Sequence, residues 1–280
     1  MRVLVGTDGS VGAQAALRWA LSLVEGEDDE LIVSTVRMPP LLEMLPHEIE
    51  ARRSEDAELF YEWCAPARAS KVHFRELLLE GDPRQQLLSA AKAERVDLIV
   101  VGARGSGGHR HALHLGSTTH HLAHHTRLPI VAIPPASKAA WPATVVVGVD
   151  GSPGSLRAVD WLASFGARLT DDVLAVNAQK PLAEVPHDHR GSPFRAALDE
   201  MEQWVAPLHE VGLNARTLVM SGDAVDVLTD AAIAEEAGLL VVGTRGLGGI
   251  LGLRLGATAL KVLHQAQIPV VMVPADVVAS

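Results

Sequence analysis

The amino-acid sequence predicts an α/β protein built twice, each copy a parallel sheet with helices on both faces. Three observations predict it. The first is an internal repeat. VGTDGS at 5–10 returns as VGVDGS at 147–152, and Trp19 returns as Trp161, both at an offset of 142. The offset is 141 for Gly81-Asp82 and Gly222-Asp223, and for VGARG (101–105) and VGTRG (242–246). It is 140 from Gly116/Gly256 through Pro129/Pro269 to Pro134/Pro274. The second is that short apolar runs alternate with segments of helical period, as in βαβ units. The third is that DLIVVG and GLLVVG are apolar nearly throughout, as strands buried on both faces are. The repeat divides the 280 residues into domains 1–138 and 139–280. The boundary falls in PPASKAAWPAT (134–144), whose prolines and small residues suit a linker.

Each copy opens on a strand, Val3–Gly6 or Val145–Gly148, followed by Asp-Gly-Ser and a helix. Ser10 and Ser152 are expected N-caps, and Pro153 suits a first helical turn. Ala16, Trp19, Ala20 and Leu23 recur at i, i+3, i+4 and i+7, as do Ala158, Trp161, Leu162 and Phe165, so each helix buries one face. A second strand follows at 31–36 or 173–178. A charged, variable segment comes next, with a helix expected in EIEARRSEDAELFYEWC. A third strand (72–79; 215–220) ends at Gly81 or Gly222. A helix (85–93; 225–234) leads into the fourth strand. A glycine-rich loop, another helix and a last strand (129–133; 269–273) close each copy.

Composition removes several function classes. Acidic residues number 34 against 24 basic, a net charge of −10, with 15 basic and 18 acidic in the first copy and 9 and 16 in the second. That balance argues against nucleic acid, whose phosphates call for clustered Lys and Arg. Aromatics at 4% disfavour a base-stacking surface. The single cysteine, Cys64, excludes an internal disulfide and a Cys-based zinc site. No apolar run approaches the ~20 residues of a membrane helix, and the N-terminal segment does not read as a signal peptide. The expectation is a soluble cytoplasmic protein.

The chemistry is expected where loops leave the carboxyl ends of the strands, the binding edge of open α/β sheets. One such loop is Asp-Gly-Ser after the first strand. The other is GARGSGGHRHALHLGST (102–118), matched by GTRGLGGILGLRLGAT (243–258). Glycines there let backbone N–H groups close around an anion, and the helix opening behind them favours negative charge. Arg104 and Arg245 add a cation to each loop. Other nucleotide motifs fail. No glycine precedes any of the five lysines, the glycines follow the fourth strand rather than the first, and no GxSxG is present.

With these residues in view, the chain resembles the universal stress protein family, as a tandem two-domain member. VGTDGS, the Gly-Asp pair, VGARG…LGST and the closing Pro-Ile-Val strand carry the resemblance over nearly all 280 residues. It implies a Rossmann-like domain of five parallel strands and a dimer-like pairing of last strands, which two copies in one chain can satisfy internally or in a homo-oligomer. It also implies ATP as ligand, with or without Mg²⁺, an unidentified protein partner, and a role in surviving stress such as low oxygen or starvation. The implied site residues in the first copy are Thr7, Asp8, Val36, Gly102, Arg104, Gly105, Gly116, Ser117 and Thr118. In the second they are Val149, Asp150, Ala178, Gly243, Arg245, Gly246, Gly256, Ala257 and Thr258. Asp8, Val36, Asp150 and Ala178 would lie near adenine and ribose, and the loop residues would hold ribose and phosphates.

Neither copy keeps the family's Gly-x2-Gly-x9-Gly-Ser/Thr motif whole. The first has ten residues between Gly105 and Gly116, with the insertion between His109 and His114. The second has nine, but Ala257 lacks the hydroxyl. A hydrogen bond to a charged group is worth about 1.5–3 kcal/mol, so that loss corresponds to roughly tenfold to hundredfold in affinity. The reading is a regulatory nucleotide-binding protein with at most slow ATP hydrolysis. A partner-binding or structural module without nucleotide, and a nucleotide-processing enzyme on the same fold, are the alternatives. The enzyme would need His-x-Gly-His or Ser-Gly-Gly-x-Asp-Ser where Thr-Asp-Gly-Ser stands.

Three features remain outside this reading. Seven of 13 histidines fall between His109 and His125, with i, i+4 pairs at His120/His124 and His121/His125. No carboxylate stands among them, so a pH-sensitive surface is the expectation rather than a metal site. The run EGEDDE (25–30) reads as solvated, and Cys64 as inert packing.

Overall fold

The computed structural model describes residues 1–24, 26–40, 43–106, 115–137, 143–179, 193–247 and 255–275. The chain forms two compact units, Met1–Ala139 and Ala140–Ser280. The first runs β1 (Arg2–Gly6), α1 (Val11–Leu23), β2 (Glu30–Arg37), α2 (Pro46–Trp63), α3 (Ala65–Ala69), β3 (Phe74–Glu80), α4 (Pro83–Ala93), β4 (Leu98–Gly102), α5 (Ser117–His125) and β5 (Ile130–Ile133). The second runs β6 (Thr144–Gly148), α6 (Pro153–Phe165), β7 (Asp172–Gln179), α7 (Pro193–Glu210), β8 (Asn214–Ser221), α8 (Ala224–Ala234), β9 (Leu239–Gly243), α9 (Ala257–Gln265) and β10 (Val270–Val273). A short 3₁₀ turn, Gly166–Arg168, follows α6.

Within the first unit the strand order is β3-β2-β1-β4-β5, and within the second β8-β7-β6-β9-β10. The pairings inside each unit are parallel. Right-handed crossovers then put α1 to α3 on one face and α4 and α5 on the other. The packing agrees: α1 meets α3, α4 meets α5, α6 meets α7 and α8 meets α9. Central strands covered on both sides need apolar residues at successive positions. Val3, Leu4 and Val5 of β1, Ile99 and Val100 of β4, and Val145, Val146 and Val147 of β6 are fully buried.

The helix starts follow from their caps. The Ser10 hydroxyl accepts the Ala13 N–H at 3.2 Å, and the Ser152 hydroxyl accepts the Ser155 N–H at 3.2 Å. Asp82 and Asp223 cap α4 and α8 in the same way. The charged segment of the first copy forms α2, of which only Phe60 is buried, so this helix is polar nearly all round. In α7, Ala197, Met201, Val205 and Leu208 are buried against the second unit's core.

The acidic run departs from the solvated expectation at two positions. Asp29 is only 2% exposed. Its carboxylate accepts the Gly26 N–H at 2.9 Å and the Met1 ammonium at 2.6 Å. Glu30 enters β2 and pairs with Arg75 at 2.6 Å. Cys64 is buried between α2 and α3, and burial pushes its thiol up to about 12, so it stays protonated and unreactive.

Removing a Ser N-cap typically costs about 1 kcal/mol. Ser10→Ala should lower stability by that amount in urea denaturation. The Ser152 hydroxyl also donates to the Asp150 carboxylate at 2.5 Å, with the Arg245 carbonyl 3.1 Å away, so Ser152→Ala should cost more, about 2 kcal/mol.

Candidate functional site

The order of strands reverses at β1, which lies between β2 and β4, and at β6, which lies between β7 and β9. At such a point neighbouring loops diverge to opposite faces and open a crevice at the carboxyl edge. The Asp-Gly-Ser turn leaves β1, and the glycine loop leaves β4, so the two expected loops flank the crevice. The second unit repeats this with β6 and β9.

Thr7 is buried. Its N–H donates to the Ser34 carbonyl at 2.8 Å and its hydroxyl accepts the Gly9 N–H at 3.3 Å. Val149, its counterpart, donates to the Val176 carbonyl at 2.9 Å, and its own carbonyl accepts from the Asn177 amide at 2.7 Å. Asp8 follows at the edge. Its Oδ1 accepts the Ser10 N–H at 3.1 Å, which is the turn expected of an Asp-Gly sequence. Its Oδ2 accepts the Ser106 N–H of the glycine loop at 2.7 Å. Asp150 accepts from Ser152 N–H at 3.0 Å and from Leu247 N–H at 3.1 Å. Partial burial pushes both carboxyls up, but hydrogen bonds from the Ser10 or Ser152 hydroxyl, and then from these backbone N–H groups, outweigh it and hold both below their ordinary value.

Gly102 and Gly243 end β4 and β9, and Gly105 and Gly246 lie exposed beside the aspartates. The far end of each loop is pinned to its start. The Gly116 N–H donates to the Ala103 carbonyl at 2.8 Å, and the Gly256 N–H to the Thr244 carbonyl at 2.6 Å. Gly116 and Gly256 are the N-caps of α5 and α9, and neither helix has a side-chain cap. Ser117 and Ala257 are the exposed first residues of these helices, with Thr118 and Thr258 next. Arg104 and Arg245 are half-buried at the loop start. Val36 and Ala178 sit half-buried near the ends of β2 and β7, one strand over from β1 and β6. The insertion between His109 and His114, and Gly107 and Gly108, lie outside the described residues.

Two residues escaped the sequence reading. Trp63 lies against Gly9, where a Cβ would come within 2.3 Å of the indole. Trp204 lies against Gly151, with 2.5 Å for the same test. Both glycines have φ near +73°, so the Asp-Gly turn is at once left-handed and roofed by an indole. Trp63 and Trp204 are 141 apart, the offset already seen elsewhere in the repeat, and that was the available signal.

The histidines of α5 behave as a surface cluster. The His121 and His125 rings stack at 4.0 Å, and the His120 and His124 centroids lie 4.5 Å apart. Among the described residues, no group of three or more His, Cys, Asp or Glu is placed to hold a metal ion.

A protein with two such units, each with a glycine loop at its switch point, is a tandem Rossmann-like α/β protein by fold. The universal stress protein family model matches residues 1–134 and again 143–274. The chain belongs to that family. A universal stress protein of Mycolicibacterium smegmatis is 28% identical, over 97% of this chain and 96% of the relative. One from Mycobacterium tuberculosis is 28% identical over 98% and 96%. A crystal structure of a universal stress protein from Archaeoglobus fulgidus superposes with a TM-score of 0.75 at 20% identity, covering 98% of each chain. No helix among the described residues is long and apolar enough to cross a membrane.

Burial, then the charge of neighbouring histidines, pulls His121 and His124 below their ordinary value of 6.5. Of the neighbours on α4, Asp82 opposes this and Arg84 adds to it. With the folded-state value below the unfolded one, the unfolded chain takes up protons first as pH falls. Stability should therefore be full above about pH 6.5 and decline as pH drops through the folded-state values. A His121→Gln/His124→Gln variant should show a shallower decline in urea midpoint between pH 7.5 and 5.5 than the wild type.

Proposed function

We propose that each unit binds ATP. Its phosphates meet the glycine loop and the first turn of α5 or α9. Its adenosine extends toward Asp8 and Val36, or toward Asp150 and Ala178. The observation that carries this reading is the contrast in helix starts. The helices α1, α4, α6 and α8 each have a Ser or Asp side-chain cap, whereas α5 and α9 start on glycine without one. Uncapped first-turn N–H groups and the positive end of the helix dipole suit an anion. Arg104 and Arg245 supply charge beside them. Asp8 and Asp150 are the carboxylates bonded to the loops, and they are the ones that would face Mg²⁺ if it accompanies ATP.

On this reading ATP occupancy reshapes the loop and thereby changes how a protein partner binds, in a cytoplasmic stress response. The protein acts by binding; hydrolysis, where it occurs, is slow. Ala257 makes the second site the weaker one, by roughly tenfold to hundredfold. A module that binds partners without nucleotide is the second reading, favoured by that same missing hydroxyl.

Calorimetric titration of ATP into the wild type, Gly105→Glu and Gly246→Glu tests the proposal. A Cβ at Gly105 or Gly246 would already stand 2.5 Å from the Oδ2 of Asp8 or Asp150, and glutamate adds a second negative charge there. Each variant should lose one site and keep the other. Unchanged stoichiometry in both would mean the ligand sits elsewhere. Absence of binding by the wild type, with no nucleotide in native mass spectra, would leave the partner-binding reading.

A further inference from the structure

The aspartate of the first loop makes one contact that a turn does not require. A turn after a strand accounts for Oδ1, which bonds two residues onward. The Oδ2 bond of Asp8 crosses 98 residues of sequence to Ser106, and that of Asp150 crosses 97 to Leu247. In both units the donor is the backbone N–H just after Gly105 or Gly246. In both units a Cβ on that glycine would lie 2.5 Å from the same Oδ2. The donor residue changes from Ser106, whose hydroxyl also bonds Asp8, to Leu247 while the main-chain bond persists, so the contact the two units share is between carboxylate and main chain. The rest of the turn is also held: Trp63 or Trp204 covers its glycine, and Ser10 or Ser152 caps the helix behind it.

We infer that Asp8 and Asp150 are positioning residues, each latching the start of its glycine loop to the first loop so that this end of the anion cradle is set before ligand arrives. This deepens the ATP-binding proposal and rests on it for the identity of the ligand. A loop rich in glycine has many conformations to lose on binding. One charge-assisted bond near its start removes part of that cost in advance. One carboxylate oxygen holds the turn and the other the start of the loop, and the lone pairs left over still face the adenosine side of the crevice.

Asp8→Asn in the full chain tests this. The asparagine oxygen can keep the Ser10 turn, while its NH₂ faces the Ser106 N–H and cannot accept from it. Hydrogen exchange without nucleotide should be at least about tenfold faster at Ser106 than in the wild type and unchanged at Leu247; Asp150→Asn should give the mirror result. Gly105→Ala is the second variant. It leaves Asp8 in place but forces its carboxylate off the loop, and Ser106 should again exchange faster. Affinities for ATP and for inorganic triphosphate at the first site should fall together in Asp8→Asn, by about tenfold, which corresponds to about 1.4 kcal/mol. Wild-type exchange at Ser106 in Asp8→Asn would overturn the latch. So would a loss confined to ATP with triphosphate unaffected, since that marks a contact to adenosine. Failure of the wild type to bind ATP would strike the nucleotide proposal alone, because the exchange comparison decides the latch without ligand.

Discussion

The reversal of strand order at β1 and β6 is the constraint on which the rest of each unit depends. A parallel strand flanked by its successor on one side and by the fourth strand on the other sends its two neighbouring connections to opposite faces. The Asp-Gly-Ser turn and the glycine loop, far apart in sequence, therefore start from adjacent strands in register, with Gly6 beside Val101 and Ser34. That placement brings the Asp8 carboxylate within reach of the Ser106 N–H, and it sets the α5 N-terminus beside the same crevice. Without the switch, the loop glycines would be turns on a surface.

The two units solve this geometry with different side chains. In the first, the Thr119 hydroxyl donates to the Gly102 carbonyl at 2.8 Å, and the matching position of the second is Ala259. The second compensates around its aspartate, where Ser152 and Ser155 join Asp150 and the Arg245 carbonyl in a connected set. Asn177 fixes the Val149 carbonyl there and is held in turn by Gln179 at 2.6 Å. The counterpart of Gln179 is Arg37, which pairs with Glu80 at 3.0 Å instead. The backbone arrangement repeats while the polar chemistry around it diverges, which is what independent drift of two copies on one scaffold produces.

Much of the fold was legible because its signals are side-chain signals. The offsets of the repeat, the all-apolar runs of β1 and β4, and Ser10, Ser152 and Pro153 at helix starts all declare themselves by residue type. What escaped was chemistry carried by the main chain or by distant partners. Ser106 and Leu247 could not be found from sequence, because a backbone donor places no demand on its side chain. Asp29 read as a solvated charge because its partners are the Gly26 N–H and an ammonium brought back by the fold. Trp63 and Trp204 repeat at the 141 offset, but a contact with glycine leaves no pattern that tells what the repeated indole covers.

Those two indoles have a consequence of an optical kind. Each stands against the turn that carries its unit's aspartate, half-buried and within reach of solvent changes at the crevice. Any motion of that turn alters the polarity around the ring, and tryptophan emission responds to polarity. Each unit thus holds an intrinsic fluorophore at its own site, and the difference in emission between the protein and a Trp63→Phe or Trp204→Phe variant separates that site's signal from the four other tryptophans.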